Sequence, residues 1–175
     1  AANEASVPPV SLEVNPLELR QLKDVDALAV EAFSGPGGIA FEVHRRSGKI
    51  GQYPCSSCHT QTLPIEDTPP ADRRWTHQNI RPQHPAQGRC TTCHNYDDLN
   101  ALILEDGSSV GLDHAYQLCA RCHFQQAADW AGGAHGKRLG GWAGRRVVMN
   151  CTDCHDPHAP AFAPRMPLRG PQVPR

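Results

Sequence analysis

All eight cysteines of the 175-residue chain fall into four C-x-x-C pairs: Cys55/Cys58, Cys90/Cys93, Cys119/Cys122 and Cys151/Cys154. A histidine follows each pair at once: His59, His94, His123 and His155. A disulfide framework needs only an even number of cysteines, and paired zinc ribbons need two C-x-x-C units apiece. Neither requires a histidine behind every second cysteine, whereas attachment of a c-type haem does. Two thiols three residues apart add across the two vinyl groups on one edge of a porphyrin, and the next residue reaches under the ring to the iron. The stretch from Cys151 to His158 alone could pose as a compact Cys/His zinc site, but its three sibling motifs argue against that. The chain is therefore expected to hold four covalent haems, with iron as the metal and His59, His94, His123 and His155 as the first ligand of each.

Four haems also account for a thin composition. Apolar side chains make up 39% and aromatics 6%, with 16 prolines and 15 glycines, against about 45–50% apolar (counted with Gly) in an ordinary domain. Flat porphyrins supply apolar surface that side chains otherwise provide, and their propionates offer partners for Arg73, Arg74, Arg81, Arg89 and Arg121. Residues 1–33 are acidic and residues 134–175 basic. No aromatic interleaving accompanies the basic end, so nucleic acid is not expected as a partner and internal ion pairs or a solvated face are. No apolar run reaches membrane-spanning length. The opening AANEASVPPV has the small, polar character of a chain after signal removal. Thioether formation needs reduced thiols and export machinery, so a periplasmic or extracytoplasmic location is expected.

The expected fold class is mostly α with much irregular structure, a small multihaem cytochrome c fold in which stacked haems form the core. One domain is expected over 1–175, with an extended N-terminal arm (about 1–16) and a proline-rich C-terminal tail (about 159–175). Leu17 to Phe33 reads as a helix, 34–38 as a loop, 39–44 as a short strand, 63–72 as a linker and 80–90 mostly as loop. Residues 112–133, few in breakers and stopped by Gly132-Gly133, read as one helix carrying the third motif.

The sixth ligand of each iron decides what such a site does. A second histidine gives electron transfer, and an open position permits substrate chemistry. His44, His77, His84, His114, His135 and His158 remain, along with Met149 and Met166. His158 follows His155 by three residues, a span of at most roughly 10 Å. That is too short to wrap around the ring held by His155, so a ligating His158 must serve another haem. Pro157 supports this by holding Asp156 extended. His135 lies between glycines that let the backbone approach a flat ring. His77 and His84 are separated by a proline and could serve different haems, and His84 is too near Cys90 to cap its own site. His44 and His114 are spare candidates.

These features resemble the low-potential periplasmic multihaem c-type cytochromes. The likeness rests on C-x-x-C-H at Cys55–His59, then His77 to His84 as H-x-x-I-x-x-x-H. Three further motifs follow, with G-x-H-G at Gly133–Gly136 before the last and C-x-x-C-H-x-P-H at Cys151–His158. It covers roughly residues 50–165. The resemblance implies His77, His84, His135 and His158 as distal ligands, and an electron carrier rather than an enzyme. Its implied partners are redox proteins, either a quinone-oxidising membrane complex or a periplasmic reductase. Some relatives of this kind stack into filaments, and the arm and tail make self-association a further expectation. A small reductase with one five-coordinate haem is the remaining alternative.

Overall fold

The computed structural model describes residues 25–31, 33–60, 77, 80, 82–84, 89–140 and 144–163. The expected arm, the linker at 63–72, most of the tail and the first part of the helix expected over 17–33 lie outside these residues.

Strand β1 (Ala27–Ala29) pairs antiparallel with β2 (Glu42–His44), Leu28 facing Val43. The far edge of β2 pairs in parallel with β6 (Val147–Val148), and β5 (Arg138–Leu139) closes antiparallel on β6. The sheet order is β1-β2-β6-β5. A second sheet is the hairpin of β3 (Ala101–Ile103) and β4 (Ser109–Gly111). The α-helices among the described residues are α1 (Ala115–Ala120), α2 (Phe124–Gly132) and the one-turn α3 (Cys151–Cys154).

Secondary structure among the described residues is therefore mixed, helix and strand together. The helix expected up to Phe33 is a strand in its described part. Its true period is two, since Leu28 and Val30 pack on the core while Ala29 and Glu31 are exposed. The helix expected over 112–133 is broken in two. A 3-10 turn spans Leu112–His114, α1 ends at Ala120, and His123 takes φ −97 and ψ 47 before α2 starts. The break falls on the third C-x-x-C-H motif. The strand expected over 39–44 is shorter, Glu42–His44, with Phe41 buried just ahead of it.

Alternation along β2 sets the core. Phe41 and Val43 are buried and pack with Tyr116, Trp130, Ala131 and Val148. The intervening Glu42 and His44 make polar ties on the other face, to Arg145 and Asp153. Four aromatic rings close the cluster. Phe33 and Phe41 meet Trp130 edge-on at 6.3 and 5.2 Å, and Tyr116 lies 5.2 Å from Trp130. Each such pair adds about 0.5–1.5 kcal/mol to its area burial.

Among the described residues of the basic end, Arg145 and Arg146 have partners within the molecule. Arg145 pairs with Glu42, whose carboxyl is held below its ordinary range by that hydrogen bond. Arg146 lies over the Phe41 ring at 4.3 Å and donates to the Ala131 carbonyl at 2.7 Å, satisfying the C-terminal end of α2. Asp113 anchors the 3-10 turn at Ser47–Lys49. It accepts from the Arg46 and Ser47 backbone N–H groups and from the Ser47 hydroxyl. Burial raises its carboxyl, but these donors outweigh burial and hold it below the ordinary aspartate range.

Candidate functional site

Each C-x-x-C-H segment folds as one tight turn. The histidine N–H donates to the carbonyl of the first cysteine at 2.9 Å in all four: His59 to Cys55, His94 to Cys90, His123 to Cys119 and His155 to Cys151. This i, i+4 closure brings both thiols and the histidine onto one turn of backbone. The first two motifs make it with 3-10 turns, the third at the end of α1 and the fourth with α3.

All eight cysteines are free. Of the thiols expected as haem anchors, Cys55, Cys90, Cys93, Cys119 and Cys151 are half-buried, whereas Cys58, Cys122 and Cys154 are exposed. The Cys58 N–H closes the first turn on the Cys55 carbonyl at 3.1 Å, and its Sγ lies 3.9 Å from the neighbouring Ser57 hydroxyl. A sulfur contact that long is weak and leaves the thiol accessible, as addition to a vinyl group requires. Among the described residues, no group of three or more His, Cys, Asp or Glu side chains is arranged to hold a metal ion.

The surroundings fix each turn differently. The second motif runs into the β3–β4 hairpin: Ile103 N–H donates to Cys93 O at 3.0 Å, and His94 bridges to Leu102. The buried Asn95 donates to the Ser109 hydroxyl. The hairpin turns at Gly107, φ 82, with Asp106 accepting from the Ser108 N–H and hydroxyl. The fourth motif is held through Asn150, 1% exposed, whose side chain donates to the Asp113 carbonyl. Asp153, inside that motif, accepts from the Asn150 N–H and from His44 Nδ1, both at 2.8 Å.

The eight histidines expected as ligands pair off one to one. Ring centroids of His59 and His77, of His94 and His158, and of His135 and His155 are each 6.2 Å apart, with planes at 20°, 16° and 13°. His84 and His123 are 5.9 Å apart, crossed at 77°. Every pair joins one motif histidine to one histidine from elsewhere. His158 lies against His94 and not against His155.

An imidazole nitrogen sits about 2 Å from a first-row metal that it ligates, and the ring centre lies roughly 1 Å further back. Two imidazoles on opposite sides of one ion then have centroids roughly 6 Å apart. Ordinary aromatic packing has no such preferred value, and the neighbouring Phe, Tyr and Trp pairs run from 5.2 to 6.3 Å. The four near-equal separations suit a shared central ion better than chance packing. Among the described residues, no hydrogen bond joins the two rings of any pair.

Protonation suits ligation too. His155 Nδ1 is 2.8 Å from the Pro160 carbonyl. A carbonyl only accepts, so Nδ1 carries the proton and Nε2 keeps its lone pair. Burial, then the neighbouring His158 and His77, hold the His94 imidazole below its ordinary value, which keeps it neutral near pH 7. Apolar rings stand exposed beside two of the sites: Phe124 next to His123, and Phe162 with its ring 4.6 Å from that of His155. A large flat apolar group would cover them. The residues present therefore fit haem.

The two spare histidines have other partners. His44 donates to Asp153 and receives Lys49 Nζ at 3.1 Å. His114 Nδ1 is 2.9 Å from the Tyr116 hydroxyl, which also accepts the Glu31 N–H. His44 thus steadies the fourth motif from outside. Only its buried carboxylate partner reveals that role, and sequence offers no local signal for it. Met166 lies outside the described residues.

His135 depends on two glycines. Gly133, φ 89, ends α2, and the N–H groups of Ala134 and His135 turn back to the Asp129 carbonyl at 2.8 and 3.1 Å. Gly136 has φ 82, and a Cβ there would lie 2.9 Å from Trp130 Cδ1. Gly136→Ala is expected to cost about 2–4 kcal/mol from left-handed backbone and overpacking together. Denaturant unfolding measures that loss, and a new high-spin signal would report displacement of His135.

No protein-family model matches the chain, and no curated protein or solved structure matches it either. Among the described residues no helix is long and apolar enough to cross a membrane.

Proposed function

We propose that the chain is an electron-transfer protein carrying four covalent c-type haems. Each is clamped by a motif histidine and a second histidine: His59 with His77, His94 with His158, His123 with His84, and His155 with His135. The observation that carries this is the one-to-one pairing of all eight rings at nearly constant separation. Haem held this way supplies a one-electron ferric/ferrous couple with no position left open for substrate.

The chain's own residues do the rest. Eight thiols anchor the cofactors in a chain whose side-chain core is small. Paired histidines exclude outside ligands and keep potentials low. Three contacts join the sites to one another. His155 and His158, three residues apart, serve the fourth and second sites. Gln83 N–H donates to the His158 carbonyl at 2.6 Å, tying the strap that bears His84 to the one that bears His158. The helix α1, which bears Cys119 of the third motif, packs against α3, which bears Cys151 and Cys154 of the fourth.

A reductase would need a motif histidine left without a partner, and the pairing leaves none. A filament linked by shared ligands would need a histidine offered outward, and His44 and His114 are engaged inside. The electron-carrier reading therefore leads, with periplasmic redox proteins or a quinone-oxidising complex as partners. Intact mass spectrometry of the exported protein is expected to show four added haem masses and no alkylatable thiol, the exposed Cys58 included. Eight titratable thiols, disulfides, or bound zinc in place of haem would overturn it.

A further inference from the structure

The four histidine pairs are not alike. Three have ring planes within 20° of parallel, and His84 and His123 cross at 77°. His84 also differs from His155 at its second nitrogen. Its Nδ1 is buried with no hydrogen-bond partner, whereas His155 Nδ1 gives its proton to Pro160.

Both differences act on the iron in one direction. A low-spin ferric ion has one electron vacancy shared between two d orbitals of π symmetry. Parallel imidazoles raise one of these orbitals, the vacancy settles there, and the ferric state is stabilised. Crossed imidazoles act on both orbitals alike and forgo that stabilisation. A carbonyl that draws on an imidazole N–H makes the ring a stronger donor, which again favours ferric iron. His84 has no such acceptor.

From these two observations, and resting on the four-haem reading, we infer that His84 makes the site at Cys119–His123 the centre of highest electron affinity in the chain. An electron entering at any site comes to rest there first. The step is one electron taken up by ferric iron to give ferrous iron, with no bond made or broken. The crossing is set by the backbone: Pro82 fixes φ two residues before His84, and Gln83 is pinned to His158. His123 is held in the non-helical break between α1 and α2.

Low-temperature electron paramagnetic resonance of the oxidised four-haem protein tests this. Crossed planes give a strongly anisotropic low-spin signal, and near-parallel planes give rhombic ones. One anisotropic and three rhombic signals are expected, and in a potentiometric titration with dithionite the anisotropic signal should vanish first. Cys119→Ala/Cys122→Ala should remove it and leave three rhombic signals. Should that variant not accumulate, His84→Met keeps the covalent haem and should abolish the same signal. Four rhombic signals, an anisotropic signal that survives His84→Met, or one reduced last would each overturn the inference while leaving the four-haem reading intact. Protein purified without covalent haem would overturn both.

Discussion

Replacing His158 by alanine is expected to let carbon monoxide bind one iron per folded chain, where the unaltered protein binds none. His158 faces His94 at 6.2 Å, so on the four-haem reading its removal would take one of the two histidines from that site alone. The main chain should hold, because the His158 carbonyl still accepts from Gln83 and its N–H still donates to Asp156. His135→Ala should likewise open one iron, the one at His155. The double variant distinguishes the pairing. If His158 serves the second site and His135 the fourth, two molecules of carbon monoxide bind per chain. If both histidines addressed the fourth site, the double variant would bind only one. A short C-x-x-C-H-x-P-H segment that ligates two irons also fixes their spacing, so His158→Ala should slow electron exchange between the second and fourth sites.

How much of this was legible beforehand depends on the range of the interaction. The four motif turns are local: cysteine, cysteine and histidine lie within five residues, and the closing hydrogen bond spans four. That His158 cannot reach over its own site also follows from chain length alone. Which histidine meets which is a long-range matter. His94 reaches His158 because the β3–β4 hairpin holds the second motif, and His135 reaches His155 because α2 ends in a left-handed glycine. The hairpin did carry a local signal, Asp106-Gly107 between two apolar runs. The degree of enclosure did not: nothing in the first motif's sequence separates the exposed Cys58 from the half-buried Cys93 of the second, whose shelter comes from the hairpin. The sheet was harder to read. Strands of two or three residues carry almost no periodicity, and the parallel pairing of β2 with β6 joins residues about a hundred positions apart. The single helix expected over 112–133 failed at the third motif, where His123 leaves helical backbone between α1 and α2.

The small side-chain core concentrates risk in one residue. Trp130 is 3% exposed, touches three other aromatic rings, and donates its indole N–H to the Met149 carbonyl at 3.0 Å. Trp130→Ala removes the ring and leaves that carbonyl without its donor. The cost expected is about 3–5 kcal/mol, and the thermal midpoint should fall by roughly 10 °C or more. Trp130→Phe keeps the ring contacts and loses only the donor, so it should cost about 1–3 kcal/mol. The damage should also be uneven. Trp130 packs against Gly136, beside His135, and Met149 leads into α3, so the fourth site should lose its low-spin signature first. The second site rests on the β3–β4 hairpin, away from the tryptophan, and should keep its own through the same denaturant range. Simultaneous loss at both sites would mean that the bound cofactors, not the aromatic cluster, hold the chain together.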